Sequence, residues 1–321
     1  MGYLDYLNIL VVSTFNRSAT GNQHIINGVV EGILESGVPL VEYCFVENVI
    51  YKVEAFSPRM VLFLGPGVRE DVDYGSITSY LKFRGVKSVF WITDDPYEFD
   101  SSYRYAKYFD VIFTNDLGTL PYYFHARNVH HLPLAASKNN DYRKIQESGK
   151  DIDLFFCGYP YKNRKVIMEE LCKYINPNHL VLSIGDWNIE GASYIDVNNH
   201  EELINLYARC KYVINVGRTY NIANDYFSIT ATTPGPRTFE AALAGAAQIY
   251  ISNGMEIENY YDINTEIVLS HDVREVADII NQGLSSRNYL DIAKAAQDRT
   301  IEEHLYTERV KAMFKLMREI F

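Results

Sequence analysis

Continuous apolar runs recur along this chain, each followed by a segment of helical periodicity. Asn8-Ile9-Leu10-Val11-Val12 is the first, a run typical of a strand buried on both faces. A polar, glycine-containing loop from Ser13 to Asn22 separates it from a helix expected over about Gln23 to Glu35. In that helix Ile26, Val29, Val30, Ile33 and Leu34 share one face, and Gly37 ends the segment. Further strands are expected at 40–46, 60–64, 88–92 and 111–113. The polar stretch Lys138 to Lys150 reads as a linker. A second series then begins at Ile152-Asp153-Leu154-Phe155-Phe156-Cys157 and continues with strands at 180–184, 212–215, 248–251 and 267–269. Helices close the chain from about Asp272 to Phe321. Such alternation predicts an α/β fold with two doubly wound parallel sheets. The expected division is residues 1–140, residues 150–300 and a closing helix at 301–321.

The length, 321 residues, suits two domains at about 150 residues each. With 47% hydrophobic and 22% charged residues, the chain can bury a sizeable core. It contains no run of about 18 apolar residues, so no membrane span is expected. Met1-Gly2-Tyr3-Leu4-Asp5 lacks the basic and apolar regions of a signal peptide, and Tyr6 occupies the position where a myristoylation signal needs Ser or Thr. A soluble, cytoplasmic protein is the expectation. A net charge of −11 argues against a protein whose main task is gripping a nucleic-acid backbone, while leaving room for a local basic groove. Cys44, Cys157, Cys172 and Cys210 lie far apart with no CxxC pair, which favours buried thiols over a zinc site.

Ligands of doubly wound sheets bind beyond the carboxyl ends of the strands, so those loops hold the candidate chemistry. Pro234-Gly235-Pro236-Arg237-Thr238-Phe239-Glu240 opens a short, alanine-rich helix that ends at Gly245, before a strand. Its N-terminus, with Arg237, Thr238 and Glu240 in the first turns, suits a phosphate, and the carboxylate suits a sugar diol. Glu240 there also complements the helix dipole, an alternative that local chemistry leaves open. After the strand ending at Cys157 comes Gly158-Tyr159-Pro160-Tyr161-Lys162-Asn163-Arg164, where Gly158 permits a turn and Lys162 and Arg164 can face a diphosphate. Trp187, in Gly185-Asp186-Trp187-Asn188, can cover a nucleotide base or pack at an interface. Arg218, in Asn215-Val216-Gly217-Arg218-Thr219, can neutralise a leaving phosphate. In the first half, Asp94 and Asp95 follow the strand ending at Ile92, as paired carboxylates able to perturb one another or as a plain turn. His24 is a second candidate base. Asp71-Val72-Asp73 and Asp151-Ile152-Asp153 match a DxD metal pattern, but such short matches arise by chance in an acidic chain, and no metal is expected. Structural roles are expected for His130 and His131.

The pattern R-x-F-E-A-x-x-x-G-A before a strand resembles the nucleotide-binding helix of GT-B glycosyltransferases, most closely the CgeB-like branch. The likeness covers most of the chain, is strongest from Asp151 to Arg309, and includes His304, Tyr306 and Arg309 as H-x-Y-x-x-R. It implies two Rossmann-like domains facing across a cleft, with the donor bound mainly by the second and the last helix crossing back to the first. It also implies that Glu240 holds the donor ribose, that the Gly158 loop carries basic phosphate ligands, and that Asp94 or Asp95 and the loop from Phe15 to Asn22 serve the acceptor. Retaining GT-B enzymes often carry another glutamate eight residues before the ribose-binding one, and this chain has Thr232 there.

The resulting expectation is a metal-independent, hexosyltransferase-type glycosyltransferase using a nucleoside-diphosphate sugar, UDP favoured, as its donor. No other cofactor is implied. The acceptor stays open among glycan, small molecule, protein and modified DNA, as does the oligomeric state. The alternatives are a non-catalytic protein that binds sugar nucleotides or assembles on a surface structure, and a GT-B-fold sugar-nucleotide epimerase.

Overall fold

The computed structural model describes residues 7–17, 22–67, 69–252, 254–286 and 288–320. The N-terminal residues read above for targeting, and the Ser18 to Gly21 part of the expected acceptor loop, lie outside these. The chain forms two compact units. Among the described residues no helix is long and apolar enough to cross a membrane.

The first unit comprises Met1–Leu134, Asn221–Thr233 and Tyr306–Phe321. Its six parallel strands are β1 (Asn8–Ser13), β2 (Leu40–Phe45), β3 (Met60–Gly65), β4 (Lys87–Ile92), β5 (Val111–Thr114) and β6 (Val129–His131), ordered β2-β1-β3-β4-β5-β6. Val11 pairs with Tyr43 on one side and Leu62 on the other, so the strand order reverses beside β1. The inner strands are buried on both faces, as their unbroken apolar runs require. Helices α1 (Gln23–Glu35), α2 (Val49–Phe56), α3 (Tyr74–Phe83) and α4 (Phe99–Ala106) lie between them. β6 was not read from the sequence. It is three residues long and includes His130 and His131, which carry no apolar signal.

This unit also receives two later segments. The final helix of the chain (Tyr306–Ile320, numbered α11 in chain order) packs closely on α1. A Cβ on Gly28 would stand 2.4 Å from the Tyr306 ring, so that contact requires glycine. The excursion 221–233 is fixed by two carboxylates that collect its backbone N–H groups. Asp100 accepts from Asp225 (2.9 Å) and Tyr226 (3.0 Å), and Asp116 accepts from Thr232 (2.9 Å) and Thr233 (3.0 Å). Ile229 and Phe227 then join the core of the unit.

The second unit comprises Ala135–Tyr220 and Pro234–Leu305. Its strands are β7 (Ile152–Cys157), β8 (Leu180–Ser183), β9 (Ser193–Tyr194), β10 (Cys210–Asn215), β11 (Ala247–Ile251) and β12 (Val268–Ser270). All are parallel, in the order β12-β11-β10-β7-β8-β9, so the chain reverses direction of growth between β7 and β10. Alternate residues feed opposite cores. Leu154, Phe156, Ile214 and Ile249 face one side, and Phe155, Cys157 and Val213 face the other. The helices are α5 (Lys138–Asp141), α6 (Lys162–Leu171), α7 (His200–Arg209), α8 (Pro236–Leu243), α9 (Val273–Ser286) and α10 (Tyr289–Glu303). β9 is two exposed residues and left no pattern to read.

Residues 138–150 are not a linker. Asp141 is buried and bonded to His200 (2.6 Å), Arg143 reaches Asn205 (2.8 Å), and the buried Lys150 amine donates to the Gly245 carbonyl. Burial pushes that amine down to about 8. Three residues, Asp141, Arg143 and Lys150, thus tie the segment to α7 and the end of α8, while most of its other polar residues are exposed.

Candidate functional site

Doubly wound sheets take ligands where strand order reverses. In the second unit that place is the carboxyl end of β7 and β10, and two arginines meet there. Gly158 leaves β7 with φ +154°, its N–H donating to the Ser183 carbonyl at 3.1 Å. A Cβ at this position would stand 3.0 Å from Arg164 Nη1 and 3.3 Å from Arg237 Nη2. Arg164, in the first turn of α6, is buried and donates from Nε to the Val216 carbonyl (3.1 Å) and from Nη1 to the Tyr159 carbonyl (3.3 Å). Arg237 comes from the first turn of α8, where Gly235 precedes the helix and Pro236 opens it. The two guanidiniums lie 5.3 and 5.6 Å from the Phe156 ring centroid.

Two cations held beside one glycine, each on a helix N-terminus, make a site for an anion with several oxygens. Burial opposes the charge on Arg237, but Tyr207, Cys157 and Glu240 around it outweigh that, and its pKa is raised. Glu240 is buried one turn further along α8. Lys162 is exposed at the start of α6. Arg218 is half-buried on the loop after β10, and Asn163 fastens that loop, donating to the Gly217 carbonyl (2.8 Å) and accepting from the Thr219 hydroxyl (3.2 Å). The structure thus gathers Gly158, Arg164, Arg237 and Glu240 closely, with Lys162 and Arg218 on the same loops.

Two expected residues are placed otherwise. Trp187 is wholly buried, its indole N–H donating to the Ile184 carbonyl (3.1 Å) and its ring edge-on to Phe156 at 5.4 Å. It is part of the core and has no face to offer a base. Thr238 is likewise committed inward, its N–H to the Gly235 carbonyl (3.1 Å) and its hydroxyl to Tyr250 (3.2 Å). Its carbonyl accepts from Gln248 (2.8 Å), which accepts from Asn215 (2.8 Å). This buried amide chain ties the start of α8 to β10 and β11. Sequence reading missed it because Asn215 and Gln248 sit inside apolar runs, although polar residues there are the signal.

The first unit separates the paired aspartates. Asp94 is half-buried beside the Thr93 hydroxyl (3.1 Å). Asp95 is sealed inside, accepting from Thr114 (2.8 Å) and Tyr123 (2.6 Å), and its backbone exchanges bonds with Asn115. Burial raises its pKa to about 6 despite those donors. Asp116, which organises the excursion, is also raised by burial. Thr232 accepts from the Gly118 N–H (2.9 Å) and so belongs to this network. His24 is half-buried in the first turn of α1. His131 meets Thr233 at 3.2 Å, and burial lowers its pKa to about 4.

The aspartates of both DxD matches have structural work. Asp73 caps α3 by accepting from the Ser76 N–H (3.0 Å), and Asp71 pairs with Arg69. Asp151 pairs with Arg209, and Asp153 with His179 and Lys211. The H-x-Y-x-x-R residues straddle the passage between units. His304 bonds the Tyr260 carbonyl (2.8 Å) within the second, while Tyr306 meets Trp91 and Arg309 donates to the Pro133 carbonyl (3.2 Å) within the first.

A family model described as glycosyl transferase-like matches residues 163–315. The spore protein CgeB of Bacillus subtilis (strain 168) is 27% identical over 215 residues, which are 62% of this chain and 66%, just under two thirds, of that protein. HepE of Anabaena, solved in complex with UDP and glucose, superposes with a TM-score of 0.65 at 11% identity, over 98% of this chain and all of that one. AviGT4, a glycosyltransferase involved in avilamycin A biosynthesis, gives 0.64 at 14% identity over 98% of each chain. The T4 phage β-glucosyltransferase gives 0.64 at 11% identity, over 97% of this chain and 99% of that one. The resemblance noted in the sequence is borne out. The fold is GT-B.

Proposed function

We propose that this chain of GT-B fold is a glycosyltransferase that takes a nucleoside-diphosphate sugar, UDP favoured, and passes the sugar to an acceptor hydroxyl without a metal ion. The observation that carries the reading is the convergence of Arg164 and Arg237 on Gly158 at the strand reversal. As the bond from the sugar C1 to the diphosphate oxygen breaks, its electron pair goes to the diphosphate. The two guanidiniums, with Lys162 and Arg218 nearby, stabilise that growing charge in place of a metal. Glu240 accepts from the ribose hydroxyls. The acceptor oxygen bonds to C1, and its proton passes to a carboxylate or imidazole base. Asp94 or His24 fills that role in this reading, because Asp95 is sealed from solvent and positions Tyr123 and Thr114 instead. The UDP complex of HepE supports the choice of donor base.

The test is release of nucleoside diphosphate from a panel of nucleotide sugars, with and without chelator. The reading expects turnover of at least one donor, undiminished by chelator. Donor binding without turnover would favour a non-catalytic binding protein, and isomerised donor without acceptor would favour an epimerase.

A further inference from the structure

Beside the two arginines the second unit stacks a column of flat groups that phosphate binding does not require. The Arg164 guanidinium lies 5.2 Å from the Tyr161 ring centroid. Tyr161 stacks in turn on Tyr220, with centroids 5.0 Å apart and planes within 6° of parallel. Tyr220 is 52% exposed, so the outermost layer of the column presents a ring to solvent. The rings come from different loops, one before α6 and one after β10. Asn163 holds those loops together through Gly217 and Thr219, which fixes Tyr220 over Tyr161. A tyrosine held parallel in this way is a prepared surface for another flat ring.

Arg164 belongs to both the column and the phosphate cradle. The column that ends in the exposed Tyr220 ring therefore begins at a residue of the cradle itself. Trp187, the ring expected to meet a base, is sealed in the core. We propose that Tyr220, backed by Tyr161 and Arg164, is the stacking platform for the nucleobase of the donor. This rests on the diphosphate reading given above. Stacking is tolerant of base identity, because every base has a π-face. Tyr220 therefore supplies affinity, and discrimination between bases arises elsewhere.

The experiment is calorimetric titration of UDP and, separately, inorganic pyrophosphate into the parent, Tyr220→Ala and Tyr220→Phe, with thermal melts alongside. Tyr220→Ala should lose about 5- to 150-fold in UDP affinity, the span expected for one stacked base. Pyrophosphate affinity should stay within about twofold, and Tyr220→Phe should keep UDP binding within about threefold, since the ring face is what acts. Unchanged UDP binding in Tyr220→Ala would overturn the proposal, as would an equal loss of UDP and pyrophosphate. A parent that binds neither ligand would overturn the diphosphate reading itself, and the platform with it.

Discussion

Replacing Asp95 by asparagine removes a carboxylate that the first unit carries at a cost in stability. Burial raises its pKa from 3.8 to about 6, against the pull of the Tyr123, Ser102 and Thr114 donors. The folded state therefore holds this proton more tightly than the unfolded chain does. Stability falls as pH rises from about 4 to about 6 and is flat outside that window for this group. The shift is about two units, and at 1.36 kcal/mol per unit the loss is roughly 3 kcal/mol. The replacing amide would keep an acceptor for Tyr123 and Thr114 and would not ionise. The difference in unfolding free energy between variant and parent should then move by roughly 3 kcal/mol in the variant's favour between pH 4 and pH 7. Urea denaturation across that range measures it. The chain has two tryptophans, one in each unit, so Trp91 reports on the first unit alone in a Trp187→Phe background. Parallel stability profiles for parent and variant would refute the assignment of a strained, buried carboxyl group.

Three further outcomes are expected. Glu240→Ala should weaken UDP binding about 10- to 150-fold through lost charge-assisted hydrogen bonds to the ribose. If Glu240 only complements the helix dipole, stability drops by ~0.3–1 kcal/mol and calorimetry shows UDP affinity unchanged. Gly158→Ala pushes a methyl between two guanidiniums and strains the backbone by ~1–3 kcal/mol, so UDP affinity should fall at least about tenfold; retained affinity would contradict the cradle. Trp187→Ala should cost about 3–5 kcal/mol in a melt as a core cavity, while the folded fraction binds UDP nearly as the parent does.

The sheets were legible because their central strands are largely apolar runs, unbroken in the first unit and interrupted by single polar residues in the second. The bounds of α1 were legible to the residue, with Ile26, Val29 and Ile33 buried as expected, although Leu34, expected on the same face, is exposed. β6 and β9 were not, being short pieces of three and two residues that owe their form to a neighbouring strand. The excursion 221–233 is held by Asp100 and Asp116, more than a hundred residues earlier in the chain. No local pattern announces a bond of that span. In the site, Gly158, Arg164 and Arg237 could be named from loop position alone. Burial could not be foreseen, and it is what separates Asp94 from Asp95 and removes Trp187 from the ligand surface. Tyr220 carried no signal, because its meaning lies in a stack with Tyr161 from another loop.

The central claim is that Arg164 and Arg237 hold a diphosphate without a metal. Titrating UDP into the parent and into Arg237→Ala, each with excess chelator, addresses it directly. The account predicts that the parent binds UDP equally well with and without chelator. It also predicts that Arg237→Ala loses about 10- to 150-fold in affinity, the worth of a hydrogen bond to a charged group. UDP binding that requires a divalent ion, or that survives the loss of Arg237 intact, would contradict it.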